Sequence, residues 1–204
     1  MRSPSDQLSA CARAVHARSR DGRGLPPGLA FTDPARWGDP LAMIARLPRG
    51  FGVVLRHGGE ASLRAQAAAI ARACRRRGVR LLIGADIELA RRVRADGVHL
   101  PERLSRTAAN LPQRWIVTAA WHPAAQRRKT QRPKAHGVDA LVVSPIFASR
   151  SASATRPIGA RRAHAAATRA GLPCYALGGL TATTARRLTA RAWAGVAAVD
   201  GFRT

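Results

Sequence analysis

The sequence predicts one α/β domain folded as a closed (β/α)8 TIM barrel. Short apolar runs alternate with longer Ala-, Arg- and Leu-rich segments of helical spacing from Gly28 onward, and this repeat of strand and helix indicates a parallel sheet. Eight candidate strands fall within 204 residues, which favours a compact closed barrel over an open doubly wound sheet. A hydrophobic content of 46% is enough for one sizeable core, so we expect a single domain.

Each predicted strand is a short and mostly apolar run, whereas the segments between the runs have the period of amphipathic helices. The predicted strands are residues 29–32, 52–55, 80–84, 97–100, 115–119, 140–144, 174–177 and 195–199. The predicted helices are residues 40–47, 63–77, 87–94, 123–136, 159–170 and 183–191. After Leu100 the segment PERLSRTAANLP has room for about one helical turn.

Residues 1–24 form a basic N-terminal arm ahead of the barrel at residues 25–204. The arm has scattered arginines and no apolar stretch of the kind that a secretory signal needs. We expect it to be loosely attached, with a short helix over residues 5–18. Only five residues follow the last predicted strand, so we expect the helix that closes a barrel to be missing or replaced by this arm.

The chain is strongly basic, with 35 Lys and Arg against 11 Asp and Glu and a net charge of +24. Such a balance ordinarily suggests nucleic acid or an anionic surface. Here nearly all the positive charge is Arg and accompanies a heavy Ala content, as general compositional drift would produce. Drift spreads charge over the surface, whereas a binding footprint concentrates it on one face. We therefore do not expect a nucleic-acid partner.

Composition also argues against a membrane protein, and the cysteines indicate the compartment. No apolar run approaches the roughly 20 residues that a membrane span needs, so we expect no membrane partner. The cysteines Cys11, Cys74 and Cys174 lie far apart without a CxxC spacing, which favours a reducing compartment and a cytoplasmic location.

Paired glycines follow the seventh predicted strand, at the end of the barrel where ligands bind. In LGGLT, Gly178 and Gly179 would let backbone N–H groups approach an anion, and the helix that follows would add positive potential. Val199 supplies the neighbouring turn after strand eight. We expect a phosphate site at these three residues, with a bulky residue at position 179 blocking the ligand but not the fold. A tight turn with no ligand is the alternative.

An ordered set of short motifs is more specific than any one of them. Along the chain they are FTD (31–33), LR (55–56), ADGVHL (95–100), AWH (120–122), SPIF (144–147), PIG (157–159), LGGL (177–180) and GVA (195–197). In this order and spacing they resemble the thiamine phosphate synthase and TenI superfamily across residues 29–202. The resemblance implies the barrel fold.

The resemblance also implies what a synthase would need. The synthase joins hydroxymethylpyrimidine diphosphate to a thiazole phosphate and expels pyrophosphate with the help of Mg²⁺, which aspartates hold after the third and fourth strands. In this chain Gly84, Ala85 and Leu104 stand at the matching positions. None of them can ligate Mg²⁺, which requires oxygen donors. We therefore expect no metal site and no cofactor.

The positions that match the family's diphosphate contacts are altered as well. Gly58 stands in place of a lysine, and a segment that should end in lysine keeps only the hydroxyls of Ser149 and Ser151. These two serines are candidate substrate contacts. Ser144 replaces the glycine before Pro145 and would contact a substrate or cap its strand.

TenI proteins, which isomerise a thiazole phosphate without the metal reaction, resemble this pattern more closely. The resemblance implies that His122, after strand five, transfers protons, for which an imidazole is suited near neutral pH. The alternative for His122 is a packed or solvated ring. Arg56 at the end of strand two would bind an anion or pair with Asp33. We expect His99 to be a hydrogen-bonded interior histidine.

The residues and the resemblance together predict a thiamine-biosynthesis protein that binds a phosphorylated thiazole or thiamine-like small molecule. We expect it to act as a metal-independent, TenI-like tautomerase. Two alternatives stay open, a thiamine phosphate synthase and a non-catalytic regulator that binds a phosphate ligand. The oligomeric state also stays open, with a homo-oligomer as one option.

Overall fold

The computed structural model describes residues 3–19, 24–33, 39–56, 58–59, 61–123, 136–149 and 156–202. Eight parallel strands form a closed barrel in which each strand pairs with the next and β1 pairs with β8. The predicted fold is confirmed. The strands are β1 Gly28–Phe31, β2 Gly52–Leu55, β3 Arg80–Gly84, β4 Gly97–Leu100, β5 Ile116–Trp121, β6 Ala140–Val143, β7 Cys174–Leu177 and β8 Trp193–Ala198.

Four strands have the predicted bounds, and the others differ for local reasons. β5 begins after Trp115, because the N–H of Trp115 closes a turn on the carbonyl of Pro112, and it continues to Trp121, which pairs with Val143. β8 begins at Trp193, because its pairing with β7 starts at Cys174.

The helices are α1 Pro4–Ala17, α2 Pro40–Arg46, α3 Ala61–Arg77, α4 Ile87–Arg92, α5 Ala160–Ala170 and α6 Ala182–Ala185. A 3₁₀ helix over Glu102–Asn110 replaces the single turn predicted after β4. α6 is much shorter than the predicted 183–191, because i to i+3 hydrogen bonds from Arg187 and Leu188 close tight turns after it. Most of the helix predicted at 123–136 lies outside the described residues. No described helix is both long and apolar enough to cross a membrane.

Helix α1 is docked on the barrel beside β8, so the expectation of a loosely attached arm is wrong for Pro4–Ala17. Leu8, Ala12 and Val15 lie on its buried face. The Nδ1 atom of His16 is 2.7 Å from the carbonyl oxygen of Ala194, at the start of β8. The Oγ of Ser5 donates to the carbonyl of Phe202, just beyond the other end of β8. α1 therefore runs antiparallel to β8 and covers it as a barrel helix does.

The interior of the barrel is filled by side chains from opposite strands, so the barrel is a packed core rather than a pore. Phe31, Val54, Leu82, Val142 and Tyr175 belong to one buried cluster inside it. The hydroxyl of Tyr175 donates to the carbonyl of Pro26 at 2.6 Å, which satisfies the one polar group of that side chain. This cluster fills the inside of the barrel, and Phe31 and Val142 form the floor of the space at its C-terminal end.

We expect Leu8→Ala to lower the free energy of unfolding by about 2 to 5 kcal/mol, because Leu8 is 1% exposed and its truncation leaves a cavity between α1 and the barrel. Urea denaturation followed by circular dichroism measures the loss. Gln7→Ala, at an exposed position of the same helix, is the control and should change stability by less than about 0.5 kcal/mol. Equal, small losses in both variants would contradict the docked position of α1.

Candidate functional site

A cavity of about 1080 Å³ opens at the C-terminal ends of the strands. Every one of the eight strands, or the segment directly after it, contributes to its wall, because closure of a parallel barrel brings all these ends to one rim. The contributing residues are, in strand order, Phe31, Arg56, Gly84, His99, His122, Ser144, Gly178 and Val199. The cavity therefore collects most of the predicted site residues.

His99 is part of the cavity wall and is held as a neutral base. Its Nδ1 lies 2.9 Å from the Oγ1 of Thr118, and its ring meets the edge of Phe31 with the centroids 4.9 Å apart. Burial lowers the pKa of His99 to about 3, with smaller contributions from the nearby charges of Arg56 and His122. The expectation of a hydrogen-bonded interior histidine is confirmed.

His122 is paired with a carboxylate that the sequence did not single out for this role. The Nδ1 of His122 is 2.9 Å from the Oε2 of Glu102, and the backbone N–H of His122 donates to the same oxygen at 3.2 Å. The His122 side chain is 44% exposed and lines the cavity. This contact fixes the ring and leaves Nε2 as the nitrogen that can exchange a proton with a ligand.

The chain contains a signal that would have found Glu102. It follows β4 by two residues, and His122 directly follows β5. Since β4 and β5 are neighbours in the barrel, the segments after them must meet at the rim. A carboxylate and a histidine on such adjacent segments are candidates for a hydrogen-bonded pair, irrespective of their separation in sequence.

Arg56 is tied to β1 on several sides. Its Nε donates to the carbonyl of Thr32 at 2.8 Å, and its Nη2 lies 3.7 Å from the Oδ2 of Asp33. The guanidinium also lies over the ring of Phe31, 5.6 Å from the centroid. The pairing with Asp33 is thus present in the structure. The side chain is still 41% exposed beside the cavity, so anion binding by Arg56 stays a prediction.

Gly178 and Gly179 have φ values of +102° and +62°, which side chains rarely adopt. They lie directly against the segment after β6. The N–H of Phe147 donates to the carbonyl of Gly178 at 3.0 Å, and a Cβ on Gly179 would overlap the carbonyl oxygen of Ala148. Loop packing therefore requires glycine at position 179, and the positive φ favours it at position 178. The expectation that a bulky residue at position 179 would spare the fold is wrong.

The predicted phosphate end of the cavity is also less positive than the sequence suggested. Helix α6 has four residues, and the N–H groups of Thr181 and Thr184 are taken by the hydroxyl of the other residue. Val199 lies in the cavity wall as predicted, with Asp200 beside it. The carboxylate of Asp200 reduces the positive potential at this end of the cavity.

The three predicted substrate-contact serines have different outcomes. Ser144 and Ser149 both line the cavity, on the segment after β6. Ser151 lies outside the described residues. The contacts of all three with a substrate stay predictions.

The residues at the positions expected for Mg²⁺ do not fit the ion. Gly84 and Ala85 line the cavity without oxygen-bearing side chains. Asp86 accepts the N–H of Leu89 at the start of α4 and lies 3.3 Å from Arg64, while Glu102 is bound to His122. Within the described ranges no three His, Cys, Asp or Glu residues are grouped as a metal site would need.

Comparisons with known proteins match this chain to thiamine phosphate synthases. The family model described as thiamine monophosphate synthase matches residues 46–202. A thiamine-phosphate synthase of Synechococcus sp. (strain WH7803) is 30% identical over 138 residues, which are 65% of this chain and 38% of that protein. One from Xanthomonas campestris pv. campestris (strain 8004) is 32% identical over 146 residues, 70% of this chain and 69% of that protein. The chain thus spans well under two thirds of the Synechococcus relative.

Among solved structures, a thiamine phosphate pyrophosphorylase from Pyrococcus furiosus superposes with a TM-score of 0.65. The two are 17% identical, and the match covers 87% of each chain. A glycerol uptake operon antiterminator regulatory protein from Listeria monocytogenes gives a TM-score of 0.57 at 13% identity, over 84% of this chain and 91% of that one. At such identities the likeness shows the barrel fold alone.

We expect Gly179→Ala to lower the free energy of unfolding by at least about 2 kcal/mol, because a left-handed φ and a backbone overlap act together. The control is Gly59→Ala, where φ is +89° and no atom lies within 4 Å of the added Cβ. It should lose only about 1 kcal/mol. Chemical denaturation of both variants measures this difference. Equal losses would show that the overlap with the carbonyl oxygen of Ala148 does not affect stability.

We expect stability to fall as the pH is lowered below about 6.5, the usual pKa of a histidine. The folded protein holds His99 neutral, whereas the unfolded chain takes up the proton, so acid favours unfolding until the pH reaches the folded pKa of about 3. Between pH 6.5 and 4.5 the loss from this group is about 2 to 3 kcal/mol. His99→Gln should lack this part of the acid loss, whereas His136→Gln, at an exposed position, should retain it. Denaturation at both pH values tests this; the same acid loss in all three proteins contradicts it.

Proposed function

Because the chain belongs to the thiamine monophosphate synthase family, whose model spans residues 46–202, we propose that its cavity binds a thiazole phosphate and that His122 moves a proton on the ring. The observation that carries this proposal is the hydrogen-bonded pair of His122 and Glu102 at the cavity rim. A histidine oriented by a carboxylate is a suitable acid and base near neutral pH. It needs no metal ion.

The cavity has two parts that suit the two halves of such a ligand. The phosphate would lie at the segments after β7 and β8, against Gly178, Gly179 and Val199, with the hydroxyls of Ser144 and Ser149 beside it. The apolar ring would lie over the wall that Phe31 and His99 form. Because His99 stays neutral, it can contact an uncharged ring without adding a charge.

The proposed reaction is a tautomerisation that returns the catalyst to its starting state. The Nε2 of neutral His122 accepts a proton from one ring atom, and the imidazolium gives a proton back to another. Glu102 accepts a hydrogen bond from Nδ1 throughout and stabilises the imidazolium between the two transfers. Glu102 is a positioning residue here, because it acts on the ligand only through His122.

His122 and the phosphate turn are separated by one strand. His122 directly follows β5 and the glycines directly follow β7, with β6 between the two strands. The ends of β5 and β7 are therefore on the order of 10 Å apart. A ligand anchored at one end would therefore present its ring near the other. Such anchoring holds the reacting atom near the base and converts binding energy into a favourable orientation.

The synthase activity that the relatives' names carry is the second candidate. Under it the cavity would take a pyrimidine diphosphate as well, and Mg²⁺ would have to assist the departure of pyrophosphate. The charges that stabilise such a leaving group contribute orders of magnitude in rate. Gly58, Gly84 and Ala85 supply none, and among the described residues Arg56 and Arg103 are the guanidinium groups of the cavity wall. We therefore rank this activity below the tautomerase. A regulator that binds the ligand without turnover is the third candidate.

We expect His122→Asn to reduce tautomerase turnover by roughly 10²- to 10⁴-fold while retaining thiazole phosphate binding, because the amide keeps the approximate shape but cannot carry the proton. Glu102→Gln should reduce kcat by roughly ten- to a hundredfold with little change in KM, because glutamine leaves His122 in place but does not stabilise its imidazolium form. Glu88→Gln is the matched control, since Glu88 is 84% exposed. Turnover is followed by NMR of the thiazole, and binding by thermal shift.

Each of the other outcomes has a definite meaning. Equal turnover in the wild type and His122→Asn excludes His122 as the catalyst. Stabilisation of the protein by a thiazole phosphate without any turnover identifies a regulator. Release of pyrophosphate from the two synthase substrates in the presence of Mg²⁺ restores the synthase assignment. A protein that no thiazole phosphate stabilises would overturn the proposal.

A further inference from the structure

The N-terminal end of the barrel, opposite the cavity, carries a concentrated positive charge, and we propose that it docks on the phosphate backbone of double-stranded nucleic acid. We call this surface the basic face. It comprises the ten exposed arginines within residues 46–49, 75–80 and 91–94 and at position 114. The inference is independent of the function proposed for the cavity.

Chain topology places these arginines together. Helices of a (β/α)8 barrel run antiparallel to the strands, so the last turns of α2, α3 and α4 lie at the end where β2 to β5 begin. Arg46, Arg77 and Arg92 end those helices, and Arg80 begins β3. Four consecutive strand–helix units therefore present their arginines on one contiguous sector.

Negative charge is sparse in this sector. Among the described residues, Asp96 is bound through its oxygens to Arg80 at 2.9 Å and to the N–H of Leu81 at 2.8 Å. Asp139, at the edge of the sector, accepts the N–H of Val117 at 2.8 Å. Most of the other described carboxylates, such as Asp86 and Glu102, lie near the cavity end. Exposed arginines also lie elsewhere, for example at positions 161, 162 and 187, but ten of them in one sector with few carboxylates form the local excess that a footprint for a polyanion requires.

Several of these side chains are held in place. The Nη2 of Arg77 donates to the carbonyl of Leu47 at 3.3 Å, and the Nη1 of Arg75 donates to the carbonyl of Val93 at 3.4 Å. The guanidinium of Arg91 lies over the ring of Trp115, 5.9 Å from its centroid. These contacts reduce the entropy that the side chains would lose on binding, and each guanidinium still has donors to offer.

The basic face also has a concave part. Arg80, Arg114 and Trp115 line a cavity of about 360 Å³ there, together with Asp96, which is paired with Arg80 at 2.9 Å. Arg114 is therefore the arginine of this cavity that we expect to contact a phosphate. Arginine forks match the geometry of phosphate oxygens, which a point charge does not. A phosphate in this cavity would fix the position of the chain on a longer backbone.

The surrounding side chains favour duplex nucleic acid over other polyanions. The apolar residues of this end, among them Leu47, Val79 and Trp115, are buried. No described apolar side chain of the basic face is exposed to enter a lipid interface or to stack on unpaired bases. Contact with the phosphates of a duplex requires neither, and it carries no sequence preference.

The competing explanation is that the arginines serve only the helix ends. A basic side chain in the last turn of a helix interacts favourably with the helix dipole. Under this explanation the substitution of these residues affects stability alone. Arg49 distinguishes the two explanations, because it lies outside any helix and has no helix dipole to stabilise.

The test measures binding of the full chain to a fluorescein-labelled DNA duplex of about 20 base pairs, by anisotropy between about 50 and 200 mM NaCl. The triple variant Arg49→Gln/Arg76→Gln/Arg92→Gln removes three charges from the basic face and keeps long polar side chains. The control is Arg161→Gln/Arg162→Gln/Arg186→Gln, which removes two exposed charges from α5 and one from the residue after α6. Circular dichroism verifies that both variants fold.

We expect the wild type to bind with a logarithmic salt slope of about −0.9 for each phosphate contact. The triple variant should bind at least about tenfold more weakly, with its slope reduced in size by about 2 to 3, and the control should change by less than about twofold. An RNA duplex and phosphatidylserine vesicles are measured in parallel. Equal affinity for both duplexes identifies the backbone as the ligand, and a tenfold preference identifies the type of nucleic acid.

Three results would overturn the proposal. The first is absence of salt-dependent duplex binding by the wild type at low salt. The second is an equal loss in the triple variant and the control, which would reflect net charge alone. The third is tighter binding to the anionic vesicles than to either duplex, which would make a lipid surface the partner.

Discussion

Closure of the barrel is the constraint on which the rest of the structure depends. Once β1 pairs with β8, every strand has two neighbours and all eight carboxyl ends meet at one rim. The geometry of that rim brings together residues as distant in sequence as Phe31 and Val199. It also places α1 against β8, where Leu8 and Val15 are buried and the arm becomes part of the fold. The cavity and the basic face are thus two consequences of the same closure.

The fold could be predicted from the sequence because a strand of a buried parallel sheet is a short apolar run and its helix has a different period. Most of the cavity could be predicted because the rim is fixed by the strand ends. The contact of Glu102 with His122 could not be read from periodicity, since it depends on neighbouring segments meeting in space. The same applies to Gly179, whose role follows from the carbonyl of Ala148 behind it. Local composition reveals strands and helices, whereas contacts between loops emerge only from the closed structure.

The direction of the helices also separates charge along the barrel axis. Helix α4 shows the pattern in one element, with Asp86 capping its start and Arg91 and Arg92 in its last turn. This arrangement complements the dipole of each helix. The basic half of this pattern recurs in α2 and α3, whose last turns contain Arg46 and Arg75, Arg76 and Arg77. Because these helices run the same way, their arginines meet at the N-terminal end of the barrel and form the basic face.

This separation has a consequence for the cavity at the opposite end. Two ion pairs lie at the rim, Arg56 with Asp33 and His122 with Glu102, and Arg103 is a further cation of the cavity wall. Asp200 adds a further carboxylate to the wall. A diphosphate needs several cations, whereas a monophosphate on a neutral ring needs fewer and can rely in part on backbone N–H groups. Among the described residues the cavity wall offers two guanidinium groups, Arg56, which is paired with Asp33, and Arg103. Two arginines beside the carboxylates of Asp33 and Asp200 suit the smaller anion better than a diphosphate.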